Sequence, residues 1–269
     1  MRVYMLRGIK DLIEVILAAL YAPFLFFIHK KPLRTVIYYH SMKKAEVPNF
    51  SKQMAYLADK CSVVKPSTIR NMPSDNDRLL TAITFDDAFV SVFENAIPVL
   101  KEHKLPAAIF VPTRNLGKIP LWDLRDDCSD EEEVVMTERQ IMELDKAGFE
   151  MFSHTMSHPV LTEIEHDKLM FELKESKQSL EEILGHEVSA VSYPYGSYNS
   201  NVCEAAKEAG YKQAFTIQPL VVDESTDDMR IGRFVVSPKD GFLKFRLKVS
   251  GAYQVVQYLR ILKKMIIPK

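Results

Sequence analysis

From Thr35 onward, short apolar runs alternate with amphipathic stretches, and this alternation limits the possible folds more than any other feature of the chain. Candidate strands lie at residues 35–40, 82–85, 107–112, 150–154, 190–195 and 213–217, with a seventh at 232–237. Candidate helices lie near 49–60, 91–103, 137–147, 167–184 and 200–209. Parallel strands need such crossover helices between them. Six or seven β/α units therefore predict an α/β protein built as a complete or incomplete (β/α) barrel, with functional residues at the carboxyl ends of the strands.

Two adjacent aspartates follow one of these strands. In "AITFDDAF", Asp86 and Asp87 come directly after an apolar run. Neighbouring carboxylates raise each other's pKa and resist burial, so the pair is a liability in a purely structural role. A bound cation would turn this arrangement to use.

Two histidines are spaced to share a cation. "FSHTMSHP" places His154 and His158 four residues apart, and one helical turn would present both imidazoles on the same side. Taken alone, two histidines at this spacing more often belong to a polar surface. Together with an Asp pair at the end of an earlier strand, two nitrogens and one carboxylate oxygen make a set suited to catalytic zinc, with positions left for water and substrate.

Three motifs in order, "TFDDAF", "SHTMSH" and "SYPYGSYN", resemble the polysaccharide deacetylase (NodB-homology) family, carbohydrate esterase family four, over about residues 35–238. The resemblance implies a distorted (β/α)7 barrel that removes N-acetyl groups from aminosugars. It also implies that Asp86 is the general base and that Asp87, His154 and His158 bind a divalent metal. Zinc is the expected metal, and cobalt, nickel or manganese would suit the same ligands.

The sequence departs from this family in two places. Ser192 occupies the place of an arginine that usually steadies the base, and Arg230 or Arg233 could supply that charge unless both are ordinary surface arginines. The late Leu-x-His that supplies the general acid is missing, because no histidine follows His186. "IYYHSM" resembles a family variant with a Tyr-His pair on the first strand. We therefore expect His40 to be the acid, the alternative being a core histidine.

The third motif and the single tryptophan are candidates for substrate contacts. Tyr195 resembles the family residue whose backbone N–H helps to hold the oxyanion, and Pro194 would fix that turn. Trp122 could stack on a sugar ring or pack its own segment against the protein. We expect Trp122, Pro194 and Tyr195 to lie against the substrate.

The charge of the chain is unevenly distributed. The formal charge is +4 over residues 1–34 and +7 over residues 239–269, which leaves −12 for residues 35–238. Both ends are also apolar, and the uncharged run 15–28 is short for a spanning helix, which needs roughly 20 apolar residues. It is also a poor signal peptide. The terminal segments therefore either pack on the catalytic domain or dip into an anionic membrane surface without crossing it.

These observations favour a membrane-associated enzyme on the cytoplasmic face; an exported protein anchored by an uncleaved N-terminal segment is the alternative. The leading function is a metal-dependent N-deacetylase acting on an aminosugar glycan, held at the membrane by a polyprenyl lipid or present in a surface polysaccharide precursor. Deformylation of a lipid-linked amino sugar is a close variant. A non-catalytic carbohydrate- or lipid-binding module and a hydrolase of small cyclic amides are the other candidates. No nucleic-acid partner is expected.

Overall fold

The computed structural model describes residues 2–28, 33–72, 78–120, 122 and 133–266. The helices are α1 (Arg2–Ile28), α2 (Val47–Lys60), α3 (Ile97–Glu102), α4 (Glu138–Lys146), α5 (His166–Leu184), α6 (Ser200–Glu208), α7 (Phe242–Val249) and α8 (Gln254–Ile266). The strands are β1 (Arg34–Tyr39), β2 (Cys61–Val63), β3 (Leu79–Phe85), β4 (Ala108–Val111), β5 (Glu150–Ser153), β6 (Ala190–Ser192), β7 (Gln213–Phe215) and β8 (Phe234–Val235).

Seven of the strands form one parallel path in the order β7-β6-β5-β4-β3-β1-β8, and the short β2 pairs with β3 beside it. The segment that follows β7 brings the ends of this path together, because Ile231 bridges Phe215 of β7 and β8 pairs with Ile37 and Tyr38 of β1. All seven candidate strands are confirmed, and β2 was not expected. The barrel is distorted because β7 is followed by an irregular segment rather than a helix.

Residues of the strands alternate between the inside of the barrel and the layer under the helices. The inner core contains Val36, Ala82, Phe110, Phe152, Ala190 and Phe215. The outer core contains their neighbours Ile37, Ile83, Ile109, Met151, Val191 and Ala214. Side chains two residues apart share one face of a strand. The inner positions therefore continue to His40, Asp86, His154 and Ser192, which brings four polar side chains together at the carboxyl end of the barrel.

The two terminal segments pack against each other. Glu14 of α1 lies 3.4 Å from Arg260 of α8, and the hydroxyl of Tyr21 lies 3.4 Å from Gln254, so the two helices run antiparallel. One face of α1 is buried in the outer core through Ala18. Packing of these segments on the rest of the chain was one of the two alternatives, and Ala18 shows such contact for α1. Contact of the segments with a membrane stays a prediction. Among the helices formed by the described residues, none combines the length and hydropathy needed to cross a bilayer.

Candidate metal centre

At the end of β3, the side chains of the two adjacent aspartates point in different directions. The backbone N–H of Asp86 donates to the carbonyl of Tyr39 at 2.9 Å, which continues the pairing of β3 with β1. The chain then turns through two left-handed residues, Asp87 (φ 68°) and Ala88 (φ 50°). Such conformations are unfavourable for residues other than glycine and concentrate at functional sites. This turn lets Asp86 and Asp87 serve different partners.

The histidine motif lies in an irregular loop, so the expectation of a helical turn between the histidines was wrong. His154 follows β5 directly, and the chain bends through Thr155 (φ 63°) and His158 (φ 60°), both left-handed. The two imidazole rings meet edge to face with centroids 4.8 Å apart. These two left-handed bends, rather than a helical turn, bring the two imidazole rings together.

Asp87 and the two histidines converge on one point. Oδ1 of Asp87 lies 3.6 Å from Nε2 of His154 and 3.4 Å from Nε2 of His158, and all three side chains are buried. Zinc–ligand bonds of about 2.0–2.1 Å in a tetrahedron separate neighbouring ligand atoms by roughly 3.3 Å. The spacing of these donors therefore fits a zinc-sized cation. Among the residues that the structure describes, this is the one group of three metal-binding side chains with such proximity.

Both histidines are prepared to act as neutral ligands. Nδ1–H of His154 donates to the carbonyl of Ser192 at 2.8 Å, which leaves the lone pair of Nε2 facing Asp87. Burial lowers the pKa of His154 to about 4 and lowers the pKa of His158 well below its ordinary value. Metal ions bind the neutral imidazole, so both side chains are in the binding form at neutral pH.

Glu172 of α5 holds the strained histidine loop. Its side chain is 1% exposed and accepts hydrogen bonds from the backbone N–H groups of Met156 (3.1 Å) and Ser157 (2.8 Å) and from the Ser157 hydroxyl. Sequence reasoning missed this residue. Its signal is an acidic residue within the apolar stripe of α5, between Leu169 and Leu173, where a buried carboxylate needs donors from elsewhere.

Arg233 binds the other aspartate. Its Nη1 lies 2.6 Å from Oδ1 of Asp86 and its Nη2 lies 2.8 Å from Oδ2, a bidentate pair. Its remaining hydrogen bonds go to Thr84 Oγ1 (3.2 Å), Ser192 Oγ (2.7 Å) and the Thr216 carbonyl (3.0 Å). The arginine is fully buried, and the small Ser192 at the family's usual arginine position is one of its partners.

This pair sets the charge of Asp86. Burial raises the pKa of Asp86, but the charge of Arg233, followed by that of His154, outweighs burial and holds this pKa at about 2. Arg230, the other arginine considered, is 44% exposed and lies 3.6 Å from Asp227. The charge that keeps Asp86 ionised therefore comes from Arg233, one of the two arginines considered for this role.

His40 lies at the edge of the same site. It follows β1, is half-buried, and meets Tyr38 edge to face with ring centroids 5.5 Å apart. Burial raises the pKa of Asp86, and a charge on His40 is among the weaker effects that lower it, after that of Arg233. His40 is therefore an electrostatic neighbour of the candidate base.

The Pro-Tyr-Gly turn lies against His158 of the candidate metal centre. Tyr195 is left-handed (φ 57°), and its ring meets that of His158 edge to face with centroids 4.6 Å apart. Gly196 is also left-handed (φ 64°), and a Cβ there would lie 2.2 Å from Ile217 Cγ1, so only glycine fits. The buried Pro194 begins this turn. Substrate contact by Pro194 and Tyr195 stays a prediction.

Trp122 stacks on His158. The ring centroids lie 4.6 Å apart at an interplanar angle of 25°, and the tryptophan is half-buried. The residue thus borders the candidate metal centre and covers one face of the His158 ring. Its stacking on a sugar stays a prediction.

Comparison with known proteins identifies the family. The family model described as polysaccharide deacetylase matches residues 74–214, more than half of the chain, and the chain belongs to this family. The poly-beta-1,6-N-acetyl-D-glucosamine N-deacetylase of Staphylococcus epidermidis is 29% identical over 164 residues, which cover 58% of this chain and 54% of the relative. The chain spans about half the length of the curated relatives it matches.

Solved structures share the fold. The deacetylase PplD of Streptococcus pyogenes, in complex with acetate, superposes with a TM-score of 0.65 at 20% identity, over 85% of this chain and 98% of that one. IcaB from Ammonifex degensii superposes with a TM-score of 0.66 at 23% identity, over 83% and 98% of the two chains. The distorted barrel of deacetylases is thus the fold of this protein.

Proposed function

We propose that this protein is a metal-dependent N-deacetylase that hydrolyses the acetamide of an N-acetylated aminosugar in a polysaccharide or its precursor. The observation that carries the proposal is the pairing of two aspartates with different partners. Asp87 faces His154 and His158 in a metal-binding arrangement, while the adjacent Asp86 is fixed by Arg233. Family membership and the N-deacetylase activity named for the staphylococcal relatives support the choice of reaction.

Asp87, His154 and His158 would hold the divalent cation, with zinc favoured by the donor set. When bound, the cation supplies a Lewis acid that polarises the amide carbonyl and acidifies water. Asp86 removes a proton from the attacking water. Its low pKa keeps it ionised at neutral pH, and the bidentate contact with Arg233 fixes the direction of its free lone pairs.

The remaining steps use the other residues at the carboxyl end. Water oxygen adds to the amide carbon, and the backbone N–H of Tyr195 donates to the oxygen that becomes negative; such donors are worth roughly 3–4 kcal/mol. The C–N bond then breaks while His40 gives a proton to the nitrogen, which releases acetate and a free amine. We place the substrate at a membrane because both ends of the chain are basic while residues 35–238 are acidic.

Metal content and acetate release together test this proposal. Purified wild-type protein reconstituted with zinc should hold about one ion per chain and release acetate from β-1,6-linked N-acetylglucosamine oligomers. Asp86→Asn should keep the metal and lose about 10²–10⁴-fold in turnover. His158→Ala should lose the metal as well. His186→Ala removes an exposed histidine that pairs with Asp145, and should change neither quantity.

Two results would contradict the proposal. Absence of bound metal in the reconstituted wild type would contradict the metal-dependent mechanism. Full turnover in Asp86→Asn would remove Asp86 from the role of base. A carbohydrate-binding module should be indifferent to Asp86→Asn in a binding assay, so that assay separates the two functions.

A further inference from the structure

The terminal helix pair exposes an unusual amount of apolar surface. Six apolar side chains of α1 are 48–68% exposed: Ile9, Leu12, Ile13, Ile16, Leu20 and Phe24. Five apolar or aromatic side chains of α8 are 43–76% exposed: Tyr258, Leu259, Ile261, Leu262 and Ile266. These eleven residues are called here the helix-pair surface. Exposed apolar residues grouped in this way mark a site of contact with another protein or with a membrane.

The charges on the helix pair favour one kind of partner. The acids of α1 are engaged, Asp11 with Lys244 at 3.3 Å and Glu14 with Arg260 at 3.4 Å. Lys10 is exposed beside them. The terminal segments as a whole carry formal charges of +4 and +7. An apolar surface set in positive charge complements anionic lipid headgroups over acyl chains.

The same charges disfavour a second copy of the chain as the partner. A symmetric contact through the helix-pair surface would bring two strongly basic regions together, and like charges at an interface oppose association. A bilayer also repels the acidic residues 35–238 while it attracts the ends. This asymmetry would orient the molecule on the lipid.

Contacts along α7 place the outer end of the helix pair on the side of the metal centre. α7 begins just after the loop 236–241, which leaves β8 at the carboxyl end of the barrel, and it ends where the Val249 carbonyl accepts from Thr35 at the start of β1. Near its beginning, Lys244 contacts both Asp240 and Asp11, each at 3.3 Å. Residues 8–13 of α1 therefore lie at the level of the carboxyl end, and the antiparallel α8 ends beside them.

We propose that the helix-pair surface inserts into the headgroup region of an anionic membrane along its whole length, with its outer end level with the carboxyl end of the barrel. The proposal goes beyond the deacetylase reaction and does not depend on it. Burial of apolar side chains and attraction of nearby Lys or Arg to anionic headgroups both contribute to such binding. A few inserted side chains with basic flanks are therefore enough for stable attachment.

Co-sedimentation of the full chain with vesicles tests the proposal. We expect binding to vesicles of phosphatidylglycerol and phosphatidylcholine in equal parts, and much weaker binding to phosphatidylcholine alone. Leu12→Gln/Ile16→Gln should weaken binding to the anionic vesicles by tenfold or more. Phe171→Gln, which replaces a 51% exposed phenylalanine of α5, is the matched control and should bind as the wild type does.

A charge variant tests the basic contribution separately. Lys10→Glu/Lys263→Glu should weaken binding by about tenfold or more at 0.1 M salt, and the deficit should shrink as salt screens the charges. Lys101→Glu, an exposed lysine of α3, is its control. Thermal unfolding of each variant should match the wild type, since every altered side chain is exposed.

Two outcomes would overturn the proposal. One is absence of binding to anionic vesicles, or equal binding by wild type and Leu12→Gln/Ile16→Gln. The other is a wild-type dimer in light scattering that this double variant dissociates, which would identify a second copy as the covering partner. Neither outcome alters the metal and acetate measurements, so the deacetylase proposal is judged apart.

Discussion

At the carboxyl end of the barrel, the charged Asp86 and Arg233 are 3% and 0% exposed, whereas on the terminal helix pair the apolar Leu20 and Ile266 are 68% and 76% exposed. Each region reverses the ordinary distribution of side chains in a soluble domain. In the barrel, the cost of burying these two charges is offset because Asp86 and Arg233 pair with each other. On the helix pair nothing in the described chain covers the apolar residues named above. The buried charges of the barrel thus find their partners within the protein, whereas for the helix pair we propose a membrane as the partner.

Breaking the buried ion pair should have the largest effect. Arg233→Met keeps similar volume and leaves Asp86 buried without its charge partner, which should lower the free energy of unfolding by about 3–5 kcal/mol. Arg230→Met removes an exposed arginine and should change it by less than about 0.5 kcal/mol. Denaturant unfolding of the three proteins measures both. Equal stability of the two variants would mean that the pair does not support the barrel.

The same ion pair should make the free energy of unfolding depend on pH in the acidic range. The pKa of Asp86 is about 2 in the folded protein against an ordinary value of 3.8, so the carboxylate stabilises the fold above about pH 4. That contribution, about 2 kcal/mol, is lost as the pH falls toward 2. The difference in unfolding free energy between wild type and Arg233→Met should therefore shrink over this range. A difference that stays constant with pH would contradict the assigned charge state.

Loosening the histidine loop should have an intermediate effect. Glu172→Ala removes the acceptor of two backbone hydrogen bonds and should weaken zinc binding by about 10–100-fold, the range for residues that orient metal ligands. Glu172→Gln keeps one oxygen acceptor and should recover part of this loss. Competition with a chelator measures the affinity. Glu182→Ala, an exposed glutamate of the same helix, is the control, and an equal loss there would argue against a specific role for Glu172.

The smallest effect should come from the exposed face of α1. Leu20→Gln should change the free energy of unfolding by less than about 0.5 kcal/mol, because the side chain is 68% exposed. Leu25→Gln, at 3% exposure, should cost 2 kcal/mol or more by placing an amide in the core. Denaturant unfolding in the absence of lipid compares the two. A large cost at Leu20 would mean that this face supports the fold rather than a partner.

The alternation of short apolar runs with amphipathic stretches was enough to predict much of this molecule. It located seven strands, and it placed Asp86 and His154 at the ends of two of them. Spacing could not reveal how His154 and His158 meet, because the two left-handed residues of their loop have no signature in the sequence. Arg233 lies 147 residues from Asp86, so its role depended on how the barrel closes and could only be narrowed to two candidates. Glu172 was missed because two of its partners are backbone N–H groups and the third is a serine hydroxyl in an irregular loop, none of which has a spacing that marks it in the sequence.

The closing segment of the barrel determines when the site around Asp86 is completed during synthesis of the chain. Arg233 lies between Ile231, which bridges β7, and β8, which pairs with β1. A chain emerging from the ribosome presents Asp86 long before this segment exists. The Asp86 carboxylate therefore has no arginine partner until the last strand is synthesised and docks. Synthesis of the closing segment and pairing of Asp86 with its arginine thus become a single event, and a chain that ends before Arg233 should leave this carboxylate without its charge partner.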